Sequence, residues 1–283
     1  MFSGGDIMKT IRYKKVGRST GVHVKFAQAM LDLYGYELSV DGSCGPKMEK
    51  AIKKYQKDHG LDDDGICGPA TWRSLGFRDT KNPNIACIEI PFNKIEKTNV
   101  LLKDKEKYSC MKFAKMNGGY DIVLNGGFFA FEDMHSITCI YQNGQVKCYG
   151  CCMSGMAFST KDGHAKHLTR TEASGKPYDL LCGAPILIQN GVKDVDMGAL
   201  SKSLYTSKTK RTCMGITDHS LLLFFSLANM SLEDMLKEGL YQKVTYMQGN
   251  DGGGSQSVVI SENWVLTTDG RSIPSAVGIK LKK

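Results

Sequence analysis

The sequence predicts an α+β protein, with a small all-α amino-terminal domain of three helices followed by a larger, mainly β domain. Three observations carry this. Apolar residues recur at helical spacing between about residues 20 and 76. From about residue 87 onward, short apolar runs alternate with Asx-Gly turns. Two glycine-rich motifs, Asn125-Gly126-Gly127-Phe128-Phe129 and Asp251-Gly252-Gly253-Gly254-Ser255, each follow a strand-like run. The expected division is an extension over 1–19, the helical domain over 20–76, a linker over 77–86 and the β domain over 87–283.

In chain order, Val24, Ala27, Met30, Leu31 and Tyr34 mark the first helix, and Met48, Ile52 and Tyr55 the second, which stops at His59-Gly60. Two near-copies of one turn punctuate them, Asp41-Gly42-Ser43-Cys44-Gly45-Pro46 and Asp64-Gly65-Ile66-Cys67-Gly68-Pro69. Each Gly-Pro precedes a helix, because proline suits the first helical turn. The second copy leads into Ala70-Thr71-Trp72, where Trp72 reads as a core anchor. Phe77 to Asn84 is polar and helix-breaking, hence the expected linker and two separable halves.

Beyond it, Asn143-Gly144, Asp162-Gly163, Asn190-Gly191 and Asp269-Gly270 are hairpin signals. Leu221 to Leu227 reads as a buried strand. One helix is evident, capped by Ser231 with Asp234 three residues on, and followed by Val244-Thr245-Tyr246-Met247.

Composition bounds the rest. The 283 residues are 41% hydrophobic and 23% charged, ordinary for a globular chain. No run approaches the roughly 20 apolar residues of a membrane span, and the polar, basic start shows no secretory signal. The net charge of +8 suits an anionic partner such as a wall polymer, or serves solubility alone. No nucleic-acid module is recognisable. The ten cysteines are expected first as reduced structural thiols. A disulfide, or a half zinc site at Cys148, Cys151 and Cys152, comes after that. No cofactor and no metal are expected.

Residues 20–76 resemble the three-helix type of peptidoglycan-binding domain carried by many wall hydrolases. The matching pieces are Tyr34-Gly35-Tyr36, Asp-Gly…Gly-Pro, Ala51-Ile52…Tyr55-Gln56…Gly60-Leu61, and Asp-Gly-Ile…Gly-Pro-Ala-Thr-Trp. Cys44 and Cys67 stand where that pattern has an apolar residue, and cysteine packs as a small hydrophobe. The resemblance implies a groove for wall glycopeptide.

The larger domain resembles the phosphodiester glycosidases, the catalytic-domain family of the mannose 6-phosphate uncovering enzyme. Four pieces match in order: the Asn125 motif, Lys210-Arg211-Thr212-Cys213-Met214-Gly215, the capped helix running into the Asp251 motif, and Gly270-Arg271-Ser272-Ile273-Pro274-Ser275-Ala276. Cys182-Gly183-Ala184-Pro185-Ile186-Leu187-Ile188 with Asn190-Gly191 looks like the family's central hairpin. Asn250 departs from the pattern, which has an apolar residue before its Asp.

The resemblance implies hydrolysis of a sugar-1-phosphodiester at the anomeric carbon. Such a reaction needs the phosphate held and an oxocarbenium-like carbon stabilised. Asp251 is the expected carboxylate, with Asn125 and Arg211 as its catalytic companions. Arg211 and Arg271 are the expected guanidinium forks for phosphate. Gly126, Gly127, Gly252, Gly253, Gly254 and Ser255 are expected to line the substrate with bare amides and little bulk. Glu132, Asp133 and His135 follow the first motif and read first as solvated or structural residues.

The expected partners are peptidoglycan and a phosphodiester-linked wall glycan, with no nucleic acid and no membrane. The expected place of action is the bacterial cell wall, reached without a signal peptide, as in phage-type lysins released by lysis. The alternatives are a wall hydrolase of other bond specificity and a non-catalytic glycan-binding protein.

Overall fold

A computed structural model describes residues 8–14, 19–150, 152–182, 185–198, 200–267 and 269–282. Residues 1–7 and 15–18 of the expected extension, Cys151 of the cysteine cluster, and Gly183 and Ala184 of the expected central hairpin lie outside the described residues.

The amino-terminal helices are α1 (Val22–Leu33), α2 (Pro46–Asp58) and α3 (Pro69–Ser74). Pro46 and Pro69 open α2 and α3 as their Gly-Pro signals predict. The two near-copies of the Asp-Gly turn are fastened the same way. Gln28 of α1 donates to Asp41 Oδ1 at 2.8 Å and accepts the Gly42 N–H at 2.8 Å. Gln56 of α2 donates to Asp64 Oδ1 at 3.0 Å and accepts the Gly65 N–H at 2.9 Å. Both glycines have positive φ, which a Cβ would penalise. Trp72 is fully buried, as expected, and its indole N–H reaches Lys9 O at 3.0 Å. Cys44 and Cys67 are also core residues.

Among the described residues the β body holds three antiparallel sheets. The first orders Ile85–Pro91, Ser220–Ser226, Thr212–Ile216, Tyr246–Gly249, Ile186–Gln189 and Val192–Asp196. The second orders Asn263–Thr267, Ser257–Ile260, Ile122–Asn125, Ser275–Leu281 and Ile95–Leu102. The third orders Gln145–Cys148, Ile140–Gln142, Tyr178–Cys182, Ser154–Ser159 and Ala165–Thr169. Ser220–Ser226 is buried along its whole length, as the apolar run predicts. The helix Leu232–Tyr241 begins with a reciprocal Ser231–Asp234 capping box. At Asn143-Gly144 and Asn190-Gly191 both residues have positive φ, the geometry two-residue hairpins require.

The helices and the β body share one continuous core. Phe26 of α1 sits 5.6 Å from the Phe77 ring and 6.5 Å from the Phe225 ring of the first sheet. Asp32 of α1 accepts the Ser261 hydroxyl at 2.6 Å, beside the second sheet. Residues 77–86 are held rather than loose. Phe77 is buried, Arg78 forks onto Glu89 at 2.8 and 3.0 Å, and the buried Glu238 carboxylate accepts the Lys81 and Asn82 N–H groups at 3.3 and 3.0 Å. The first strand of the body already begins at Ile85. The segment is held to the body through the Arg78 side chain and its own backbone, so its polar composition does not make it free in solvent.

Two outcomes follow from the shared core. Heating the full chain should give a single calorimetric transition covering helices and body together. Phe26→Ala should lower global stability by roughly 3–5 kcal/mol, the usual cost of deleting a buried aromatic ring. Separate transitions in the wild type would show that the two parts do not depend on this contact.

Candidate functional site

The two glycine motifs leave different sheets and meet. Asn125 ends a strand of the second sheet, and Gly249 ends one of the first. Between them runs a tight lattice. Asp251 N–H donates to Gly126 O at 3.0 Å, and Asn250 N–H to Thr212 O at 2.8 Å. The Asn250 side-chain amide donates to Asn125 O at 2.6 Å, and the Asn125 amide donates to Asp251 O at 2.7 Å. Asn125 Oδ1 accepts the Thr212 hydroxyl at 2.9 Å and the Ser257 N–H at 3.2 Å. Asn250, the departure from the family pattern, is thus a cross-link between the motifs.

Asp251 is 9% exposed. Burial pushes its carboxyl up to about 6, against the opposing pull of the Ser255 hydroxyl, the Gly252 N–H and the charges of Arg271 and Arg211. The Gly252 N–H bonds Oδ1 at 2.8 Å, while the Ser255 hydroxyl closes no hydrogen bond of normal geometry. The side-chain hydroxyls of Ser257 and Ser275 and Asn250 Oδ1 are also buried without a hydrogen-bond partner among the described residues. Buried polar atoms are nearly always satisfied, so these four, on residues that belong to the two motifs or bond to them, set this region apart.

The glycines are explained by protein contacts. A Cβ on Gly126 would lie 2.4 Å from Ser275 Oγ, and one on Gly127 2.3 Å from Thr138 Oγ1. On Gly252 it would meet Lys210 O at 2.4 Å, and on Gly254 Arg271 Nη2 at 2.5 Å. Gly253 has φ +60° in the short turn that follows Asp251. The bare backbone therefore lets loops close on one another around the carboxyl.

The two expected arginines differ in kind. Arg211 is 1% exposed. Its Nη2 reaches Leu204 O and Ser207 O at 2.8 and 2.7 Å, and its Nε reaches Met230 O at 3.2 Å. Those donors anchor the 204–207 segment, and Arg211 acts on Asp251 through charge. Arg271 is partly exposed, with Nη2 3.4 Å from Asp269 Oδ2 and its guanidinium 4.8 Å from the Phe131 ring centre. It is the guanidinium with room for a ligand. The sequence reading does not single out Phe131, and it gives Asp269 only as a turn residue and Ser275 only as part of a matched motif, with no place at the site for any of them. The first is an exposed aromatic on a loop, and the others take meaning only from contacts across the fold. A cavity of about 550 Å³ lined by His164, Lys166, His167, Tyr178 and Tyr246, among others, shares no residue with this constellation.

Residues 20–75 match the family model described as "Putative peptidoglycan binding domain". The match takes in nearly the whole of the amino-terminal helical segment. Over 62 residues the chain is 45% identical to the N-acetylmuramoyl-L-alanine amidase CwlM of Mycobacterium tuberculosis, covering 22% of this chain and 15% of that protein. Over 41 residues it is 42% identical to the zinc D-Ala-D-Ala carboxypeptidase of Streptomyces albus G, covering 14% of this chain and 16% of that one. The chain thus spans about a sixth of each of these relatives. The structure is similar to the catalytic domain of zebrafish N-acetylglucosamine-1-phosphodiester alpha-N-acetylglucosaminidase, auto-inhibited by its pro-peptide. That match has a TM-score of 0.57 at 18% identity, covering 70% of this chain and 76% of that one. A hypothetical protein from Synechocystis matches at TM-score 0.55 and 11% identity, over 73% and 61% of the two chains. At these identities the likeness is one of fold.

The raised Asp251 carboxyl gives a stability prediction with a definite sign. Its folded value, about 6, lies above the reference 3.8, so the unfolded chain gives up this proton first. Its contribution to stability is present below about pH 4 and is lost as the pH rises through about 6. Asp251→Asn, neutral throughout, should therefore be more stable than wild type at pH 7, by at most about 3 kcal/mol, and nearly equal at pH 4. Denaturant melts at the two pH values check this. A variant equally destabilised at both would show that the carboxylate supports the fold.

Proposed function

We propose that this protein is a cell-wall-directed hydrolase that cleaves a sugar-1-phosphodiester at the anomeric carbon, releasing free sugar and a phosphomonoester. The observation that carries the reading is the pairing of one buried carboxyl, Asp251, with one accessible guanidinium, Arg271, where the two glycine motifs meet. The likeness in fold to a phosphodiester glycosidase supports it.

In this reading Arg271 holds two phosphate oxygens with its planar fork. The phosphate is then a stable leaving group, so the bond from the anomeric carbon to its oxygen can break without a strong general acid. The ionised Asp251 stabilises the cationic carbon and takes a proton from the attacking water. Asn125 positions Asp251 by holding its backbone carbonyl, and Arg211 adds buried positive charge near the departing phosphate. The unpartnered serine hydroxyls and Asn250 Oδ1 offer polar contacts to the sugar.

The amino-terminal domain would hold the enzyme on peptidoglycan and raise its local concentration. A cleft on its surface is lined by Tyr36, Lys47, Lys50 and Lys54, which suits an acidic glycopeptide. Action at the bacterial wall follows from that partner.

The decisive test is single-turnover hydrolysis of a GlcNAc-1-phosphodiester by the full chain. Asp251→Asn should lower the rate by roughly 100-fold or more while the protein stays folded. The wild-type rate should rise with pH through about 6, because the anion is the working form, and the variant should lose that limb. Arg271→Lys should weaken substrate capture by about 10-fold, since an ammonium cannot reproduce the fork. Near-normal turnover in Asp251→Asn would remove the carboxylate from the mechanism. Absence of turnover by the wild type across several sugar-1-phosphodiesters would leave a glycan-binding protein.

A further inference from the structure

Three separate segments meet beside the first glycine motif. Residues 128–137 fold back on themselves through Ala130 N–H to His135 O at 2.8 Å and Ile137 N–H to Phe128 O at 3.0 Å. Near the tip is Phe131, the ring beside Arg271. The turn after Leu102 docks on this hairpin. Asp104 Oδ1 accepts the Ser136 N–H at 2.9 Å, and the Lys105 N–H reaches Met134 O at 3.3 Å. Cys148, the last residue of Gln145–Cys148, closes the third side and donates its S–H to Ser136 O at 2.9 Å.

His135 lies between the other two. Its Nδ1 is 2.9 Å from Asp104 Oδ2, and its Nε2 is 3.8 Å from Cys148 Sγ. One ligand atom from each residue lies within 4.8 Å of the other two. We propose that Asp104, His135 and Cys148 bind a thiophilic divalent cation of the zinc type, and that the ion fastens the 128–137 hairpin, with Phe131, beside Arg271.

The donor set is the first argument. Thiolate, imidazole and carboxylate are the three side-chain ligands zinc takes, and bonds of about 2.0–2.3 Å in a tetrahedron set donors roughly 3–4 Å apart. The 2.9 and 3.8 Å separations are made by different ring nitrogens, so the spacing that bears on one site is the 4.8 Å within which one ligand atom from each residue lies, a little wider than that tetrahedron and closed by a small shift of the exposed His135 ring. A single imidazole nitrogen, the thiolate and one carboxylate oxygen would leave the fourth position open. The second argument is access. The His135 and Asp104 side chains are 37% and 25% exposed, giving an entry path, while Cys148 is 3% exposed, so the sulfur is sheltered.

The same three residues could be read as a nucleophilic cysteine triad for acyl transfer. That chemistry needs an exposed sulfur that ionises readily. Here the sulfur is buried and donates to a carbonyl, which disfavours the nucleophile.

The experiment uses the full-length protein, reduced and stripped of metal, and Co2+ as a spectroscopic probe in place of Zn2+. Adding Co2+ should produce a thiolate-to-cobalt charge-transfer band that Zn2+ abolishes by displacement. The band should vanish in Cys148→Ser, and affinity should fall at least about 10-fold in His135→Ala and Asp104→Asn. Cys110→Ser and Cys213→Ser, which alter buried thiols elsewhere, should keep it. A measurement on the wild type needs no variant to fold: Zn2+ should protect Cys148 from alkylation and slow proteolytic cutting within 128–137. No band in the wild type, or a band surviving Cys148→Ser, would overturn the site. Rapid alkylation of Cys148 at neutral pH that Zn2+ leaves unchanged would overturn it in favour of an exposed nucleophile. Zinc binding with unchanged proteolysis would overturn the fastening role.

Discussion

The Asn125 side chain is the point on which this architecture closes. It has no exposed surface, and its amide joins three elements at once. Its N–H₂ group holds the Asp251 carbonyl, while its oxygen takes the Thr212 hydroxyl and the Ser257 N–H. Thr212 and Asp251 belong to the first sheet and its exit loop, and Asn125 and Ser257 to the second. Leaving any of these buried groups unpaired would cost on the order of 1–3 kcal/mol. The clasp therefore fixes how two sheets meet, and with that the position of the one buried carboxyl between them.

The glycines around the clasp have a related purpose. Three of them, Gly126, Gly127 and Gly252, face backbone or buried atoms so closely that a methyl group would not fit, while Gly254 faces the movable ends of Asp269 and Arg271. Their absence of side chains brings the 210–211, 269–275 and 136–138 segments up against the two motifs. The entropy cost of consecutive glycines is offset by close approach within the protein, which leaves the carboxyl in a medium where charge acts strongly.

Much of this was legible in the sequence because it rests on local rules. Helical spacing placed α1 and α2, Gly-Pro pairs placed the starts of α2 and α3, and Ser231 with Asp234 marked a cap. The glycine motifs were legible as special backbone, and Asp251 as the acid beside them. What was not legible depends on contacts between distant segments. Nothing in the neighbourhood of Arg211 says that its donors face the carbonyls of Leu204, Ser207 and Met230. Arg271 and Arg211 look alike in their motifs, and only burial separates them. The polar run over 77–86 has a linker's composition, yet Glu238, about 155 residues away, holds its backbone. Asp104, His135 and Cys148 come from three segments with no common spacing, so no motif could have joined them.

The ring of Phe26 sits against both Phe77 and Phe225, so α1 is seated in the body instead of swinging from it. A flexible tether lets a module sample a cloud of positions, and only the average reach matters. A module bolted through a common core behaves as a caliper. Under the proposed function, the distance from the wall strand held by this module to the Asp251 carboxyl would be set by the fold, and along a repeating polymer such a caliper would select by register, favouring bonds that recur at that one span.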